Sequence, residues 1–307
     1  MALNIIFMGS PGFALPILEA IHISQHKIIE VYTQPPKKKN RGQIKTFTPV
    51  HNFCLKNNLE IKFPEKLDTD IEFANFEKKK PDVVVVVAYG KILPTKILNL
   101  KNIIFLNIHA SLLPKWRGAA PIQRAILNLD KETGISVMKI VPKLDTGPVM
   151  MQSKVSISKD ENYDHISKKL SSLGAKLILD ALTLIEKKKA KFTSQLDSEA
   201  TYAKKINKIE SKINWNEKAN KIIAKINAFN PSPGSWFNYN GSRIKILKAK
   251  EILNHKETPG KIINEKFTIA CLENAIQILE IQKEGKKKMD INEYLKGNDL
   301  KVGTDVD

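Results

Sequence analysis

Five consecutive valines, Val83–Val87, sit inside the stretch PDVVVVVAYG (81–90). A strand with one wet face alternates apolar and polar residues, whereas an unbroken β-branched run leaves no residue for solvent. The run therefore predicts a central strand of a mostly parallel sheet covered on both faces. The flanking sequence agrees. LNIIFMG (3–9), IIEVYT (28–33), NIIFLNIH (102–109), GISVMKIV (134–141) and VMMQSKVSI (149–157) read as further strands. FALPILEAI (13–21), VHNFCLKNNL (50–59), IEFANFEKKK (71–80), PIQRAILNLD (121–130) and the long amphipathic 164–189 segment have helical spacing. This β-α alternation predicts an α/β domain over residues 1–189 with a Rossmann-like, mostly parallel open sheet.

After Lys187–Lys189 the pattern changes. Residues 190–206 lack periodicity and read as a linker, and NEKANKIIAKINAF (216–229) reads as a helix. Short strand candidates then recur: GSWFNYNG, SRIKILKAKEIL, GKIINEK, FTIACLEN and AIQILEIQKEG. Their close spacing predicts a small β-barrel domain over 207–307.

Cys54 and Cys271 stand far apart without a C-x-x-C context, so no disulfide framework and no metal site is expected, and a reducing, cytoplasmic setting is. The apolar start MALNIIFMGS has no basic lead-in and is too short for a signal peptide. No window approaches the ~18 uninterrupted apolar residues of a membrane span.

The formal net charge is +18, and only four of the 50 basic residues are arginines: Arg41, Arg117, Arg124 and Arg243. A general bias toward lysine raises the charge without any partner. The distribution points the other way. Residues 201–250 hold eleven Lys or Arg against Glu210 and Glu217, and residues 34–59 hold six basic residues and no acid. Such stretches suit a polyanion. Where a chain otherwise uses lysine, a retained arginine indicates a place that needs a planar, multi-donor cation.

Three motifs could carry chemistry. Gly-Ser-Pro-Gly (9–12) follows the first strand but lacks the third glycine and the ribose-binding acid of a dinucleotide site. Asp145-Thr146-Gly147 occurs once, which excludes the two-carboxylate chemistry of an aspartic protease and leaves a turn as the plain reading. Asn107 and His109 end a strand two residues apart, so both side chains project to one side, roughly 6–7 Å apart. They can be a satisfied polar pair. They also sit where open α/β sheets place their sites, at a strand's C-terminal end. With Asp145 the two make a workable acyl-transfer set: Asn107 as oxyanion donor, His109 as proton carrier or positive charge, Asp145 to orient the ring. No Ser or Cys is placed as a nucleophile, so an external nucleophile is implied.

NIHASLLPKWRGAAPIQRAI, with VVVAYGKILP before it and GISVMKIVPKLDTGPVM after it, resembles the folate-dependent formyltransferases. The Trp-Arg-Gly-Ala-Ala-Pro-Ile-Gln continuation is similar to the branch that formylates methionyl-tRNA, and the likeness extends to YTQPP, AFNPSPGSW and the closing β region. The resemblance implies formyl transfer from 10-formyltetrahydrofolate to the α-amino group of initiator methionyl-tRNA, without metal, with Asn107, His109 and Asp145 as the catalytic set. It implies folate contacts at Tyr89, Gly90, Lys91, Ile92 and Leu93 and at the turn Ser111, Leu112, Leu113 and Pro114. It also implies tRNA contacts, through an insertion carrying Lys37, Lys38, Lys39, Arg41, Gly42 and Lys45 that orders on binding. The same partner would meet the C-terminal, OB-like barrel at Arg243, Lys245 and Lys248. A monomer is expected. Formyltransferases acting on a sugar nucleotide or on glycinamide ribonucleotide share the Asn, His and Asp set and are the nearest alternative. A non-catalytic RNA-binding protein on a Rossmann-like scaffold is another, which leaves the three residues without a purpose.

Overall fold

A computed structural model of the chain describes residues 2–39 and 44–307. They divide into two compact units, one of residues 1–118, 133–155 and 167–203, the other of 119–132, 156–166 and 204–307. No helix among the described residues is long and apolar enough to cross a membrane.

The first unit opens with β1 (Asn4–Gly9), α1 (Leu15–His22), β2 (Lys27–Tyr32) and a two-stranded ribbon of β3 (Lys37–Lys39) and β4 (Ile44–Thr46). Next come α2 (Pro49–Lys56), β5 (Ile61–Lys62), α3 (Asp70–Lys79), β6 (Val83–Val87), α4 (Thr95–Leu98), β7 (Ile104–His109) and β8 (Arg117–Gly118). Beyond α5 (Pro121–Leu127) follow β9 (Glu132–Lys139), β10 (Val149–Ser156), α6 (Tyr163–Glu186) and β11 (Tyr202–Ala203). Seven strands form one sheet in the order β10-β9-β7-β6-β1-β2-β5. From β5 across to β7 every pairing is parallel; β7 pairs β9 antiparallel. The valine run is β6, buried at all five positions between β1 and β7. The strands after β1 build outward through β2 and β5, and β6 returns to the other side of β1, so β1 and β6 flank the switch point where such sheets bind ligands.

Local chemistry sets the helix starts. Thr48 and Thr69 cap α2 and α3 by accepting hydrogen bonds from His51 N and Glu72 N, and Lys80 ends α3 in the left-handed region at φ 45. Gly174 lets α6 come close to the sheet: a Cβ there would lie 3.1 Å from Ile17 Cδ1 and 3.5 Å from Ile108 Cγ2. A mid-helix glycine costs about 1 kcal/mol against alanine, which this close packing offsets.

The second unit gathers α5 and α7 (Ala219–Phe229) with the strands β12 (Ser235–Tyr239), β13 (Ser242–Ile252), β14 (Ile262–Asn264), β15 (Thr268–Ala270), β16 (Ala275–Lys283) and β17 (Met289–Asp290), and α8 (Ile291–Lys296). Its strands pair antiparallel in the order β12-β13-β16-β15-β14, with β17 on β16. Trp215, Ile222, Ile226, Phe237, Phe267 and Ile276 lie in its core. Each buried side chain of this size contributes about 1.5–3 kcal/mol, so the unit holds together with Cys271 as a free, buried thiol.

Two segments have tertiary partners that the sequence pattern does not report. The 121–130 helix, read as part of the first domain, packs as α5 against α7, with Arg124 donating to Glu210 and to the carbonyl of Lys204. Residues 190–206, read as a linker, are hydrogen-bonded into the first unit as far as Ala203: Thr193 bridges Val149, and β11 pairs with β8. Lack of periodicity here reflects extended backbone satisfied by distant partners, which no local pattern reports.

Candidate active site

Asn107 and His109 occupy the last turn of the pleat in β7, whose neighbours are β6 (Val86 opposite Asn107) and β9 (Met138 opposite Asn107, Ser136 opposite His109). Both side chains reach Asp145, which stands on the β9–β10 loop. Asn107 Nδ2 donates to Asp145 Oδ1 at 3.4 Å, and His109 Nδ1 lies 3.7 Å from Asp145 Oδ2. The second distance is longer than a hydrogen bond. Gly118 N donates to the same Oδ2 at 2.9 Å, and His109 Nε2 donates to the carbonyl of Trp116 at 2.9 Å. An oxygen thus faces each ring nitrogen. The side chains of His109 and Asp145 are 6% and 11% exposed, so both groups sit largely out of water.

The loop holding Asp145 is tightly constrained. Asp145 has φ 51, in the left-handed region that disfavours a side chain. A Cβ on Gly147 would lie 1.8 Å from the carbonyl oxygen of Lys139, so glycine is required for the loop to pass beside β9.

The turn Ser111–Pro114 is built around a buried hydroxyl. Ser136 Oγ donates to Ser111 O at 2.6 Å and accepts from Leu113 N at 3.0 Å; Gln152 Nε2 reaches both Ser136 Oγ and Leu113 O at 2.8 Å. Ser111 Oγ donates to Lys115 O, Leu112 packs on Gly134, and the Leu113–Pro114 bond is cis. The Tyr89–Leu93 stretch follows β6 and is tied to the ends of β1 and β2: Ser10 Oγ and Gln34 Nε2 both donate to Tyr89 O, and Gln34 Nε2 also to Gly90 O. Its side chains diverge. Tyr89 enters the core, where burial pushes its phenol up, and Leu93 is buried too, while Ile92 is 84% exposed. Lys91 Nζ donates to the carbonyls of Pro64 and Glu65. Lys91 and Ile92 line a shallow cleft of 430 Å³ with Lys66, Leu67, Asp68 and Pro94.

Residues 3–182 match the family model described as formyl transferase, and residues 205–299 the one described as formyl transferase, C-terminal domain. Over its full length the chain is 46% identical to a methionyl-tRNA formyltransferase of Pelagibacter ubique (strain HTCC1062), covering 99% of that protein. The chain belongs to the methionyl-tRNA formyltransferase family. Likeness to solved structures is in fold. HypX from Aquifex aeolicus gives a TM-score of 0.68 at 16% identity, with 98% of this chain aligned to 49% of that longer one, about half its length. An N-formyltransferase from Helicobacter canadensis, solved with folinic acid and dTDP-3-aminofucose, gives 0.67 at 21% identity over 91% of this chain and 99% of that one.

Within this methionyl-tRNA formyltransferase family fold, the expected tRNA-facing lysines fall on two surfaces. Lys37, Lys38, Lys39 and Lys45 lie on the β3–β4 ribbon, where Lys38 pairs with Lys45; Arg41 and Gly42 lie outside the described residues. In the second unit a register shift between Ile246 and Lys248 resets the alternation of β13. Ile244 and Ile246 point inward before the shift and Ala249 packs on the core after it, so Arg243, Lys245, Lys248 and Lys250 share the outer face. The guanidinium of Arg243 lies 3.8 Å from the centroid of Trp236, a cation–π contact.

Sequence reading missed Gln195, Asp197, Ser136 and Gln152, which hold the site from behind. The scarcity of arginine was a usable signal. Arg117 is 2% exposed, with Nε on Gln195 and Nη1 on Asp197, and Arg124 grips Glu210 with two nitrogens. Both sites use the planar fork that lysine lacks.

Proposed function

We propose that the chain transfers a formyl group from 10-formyltetrahydrofolate to the α-amino group of methionine on initiator tRNA, with no metal. The observation that carries the reading is the convergence of Asn107 and His109 on Asp145 at the end of β7, in a chain with a family relative matched from end to end. The folate supplies an activated formyl group. The backbone of 89–93, anchored by Ser10 and Gln34 at the sheet's switch point, and the Ser111–Pro114 turn offer main-chain donors and acceptors for its flat ring system.

The attacking group is an amine with a pKa of about 8, so a useful neutral fraction exists near pH 7. Asn107 keeps a second Nδ2–H beyond the one given to Asp145, and this hydrogen is the donor for charge building on the formyl oxygen. His109, flanked by Trp116 O and Asp145, takes up the proton the amine loses, so that its positive charge forms beside Asp145, and gives that proton to the folate nitrogen as the bond from this nitrogen to the formyl carbon breaks. Asp145 holds the ring and is itself held by Gly118 N. The β3–β4 ribbon and the outer face of β13 supply cations for phosphates, which position the acceptor arm without reading sequence.

Labelled formyl transferred from 10-formyltetrahydrofolate to charged initiator tRNA tests this, with free methionine and a nucleotide-linked sugar amine as competing acceptors. Faster transfer to either competitor overturns the tRNA assignment.

A further inference from the structure

The 190–203 segment grips both loops that meet at Asp145. Arg117 N donates to Thr201 O at 2.9 Å and Trp116 N to Thr201 Oγ1 at 2.9 Å, which fixes the 116–118 loop. Gln195 Nε2 donates to Asp145 O at 3.0 Å and to Gly147 O at 2.7 Å, which fixes the other loop. One hydrogen of the amide goes to each carbonyl. The remaining atom, Gln195 Oε1, accepts from Arg117 Nε at 2.9 Å, and Arg117 Nη1 donates to Asp197 Oδ1 at 2.8 Å.

The direction of this relay is set by chemistry. A guanidinium has only donors, so Arg117 must face the oxygen of the Gln195 amide, and both N–H groups must then face the loop. The guanidinium is buried, with its side chain 1% exposed, while Asp197 at the far end of the relay is 69% exposed. Its target is the place where it matters. Asp145 holds a left-handed backbone, φ 51, and such a conformation persists only where its surroundings over-determine it.

We propose that Gln195 is a positioning residue for the Asp145 carboxylate, with Arg117 and Asp197 fixing the polarity of its amide. Gln195 touches no reacting atom; it sets where the carboxylate stands against His109 Nδ1. The inference rests on the reading of Asp145 as part of the reaction machinery.

The test uses Gln195→Met, which keeps the shape and loses the amide, and Gln195→Glu, which keeps an acceptor for Arg117 and loses both donors. Each is made in the parent and in Asp145→Asn. Single-turnover formyl transfer, KM for both substrates and thermal melting are measured. Both variants are expected to fold, to keep both KM values, and to lose about 10- to 100-fold in rate. In the Asp145→Asn background they are expected to cost nothing further, because they act through the carboxylate already removed. Parent-like rates overturn the proposal. So does an equal loss in both backgrounds, the mark of a merely structural role. An Asp145→Asn protein with normal turnover removes the underlying reading; parent-like Gln195 variants beside an inactive Asp145→Asn remove this inference alone.

Discussion

Gly118 N donates to Asp145 Oδ2 at 2.9 Å, and the same oxygen faces His109 Nδ1 at 3.7 Å. Gly118 can do this because nothing but hydrogen stands on its Cα: it has φ 126, and a Cβ would lie 2.6 Å from Ala203 O. The Trp116-Arg117-Gly118 stretch is therefore part of the carboxylate's support.

Removal of each of the three converging side chains is expected to abolish most turnover in a folded protein. Asn107→Ala takes away an oxyanion donor, worth about 100- to 1000-fold. His109→Ala and Asp145→Ala are expected to cost about 100- to 10,000-fold. Single-turnover rates with unchanged circular dichroism check this, and a near-normal rate in any variant excludes that residue.

Gly147→Ala places a methyl group where the carbonyl oxygen of Lys139 stands, 1.8 Å from the new carbon. The loop must move away from β9 and carry Asp145 with it. A displacement of about 1 Å at such a site costs on the order of 100-fold in rate. Turnover equal to the parent's shows that the loop adapts without moving the carboxylate.

Ser136→Ala strips the acceptor from Leu113 N in a fully buried setting. An orphaned buried N–H costs about 1–3 kcal/mol, read from urea unfolding. Because Ser136 also braces Ser111 O, the KM for folate is expected to rise. A stability loss with folate KM unchanged separates the turn from the folate site.

Glu210 gives a pH signature in the second unit. Its hydrogen bond from Arg124, helped by Asn207 N and by the charge of Arg124, holds its carboxyl below the usual range, against the opposing effect of burial. A carboxylate depressed in the folded state stabilises above its unfolded pKa of about 4.3, and loses that contribution as pH falls through the folded value. Both side chains are partly exposed, so the pair is worth less than about 1 kcal/mol. Glu210→Gln is expected to lower the unfolding midpoint at pH 7, with the gap to the parent closing below about pH 4. A gap that widens toward acid contradicts this sign.

Arg243→Ala removes one cation from the outer face of β13 and the partner of the Trp236 ring. The KM for methionyl-tRNA is expected to rise with folate KM unchanged, and the slope of log affinity against log salt to fall by about one. Arg41→Ala is expected to show the same contrast. An effect on folate alone moves either residue out of the tRNA surface.

Much of this protein was legible as local pattern. An unbroken valine run could only be a strand buried on both faces, and it is β6. Helical spacing over 50–59 and 71–80 marked α2 and α3 because apolar positions recur on one face within a few turns. The i, i+2 spacing of Asn107 and His109 fixed their common direction because a strand alternates by two. Each of these rules acts over a few residues of one element.

The rest depends on partners far apart in the chain. Asp145 lies 27 residues from Gly118 N and 50 from the Gln195 amide, and the helix after Pro121 packs on α7 with Arg124 bonded to Glu210. No period in sequence encodes such bonds, and extended segments such as 190–203 look featureless for that reason. The sequence by itself determined the main strands and helices and the common direction of Asn107 and His109. Only the tertiary structure decided where the Asp145 carboxylate stands, because buried polar groups must find partners, and folding alone brings distant donors within 3 Å of them.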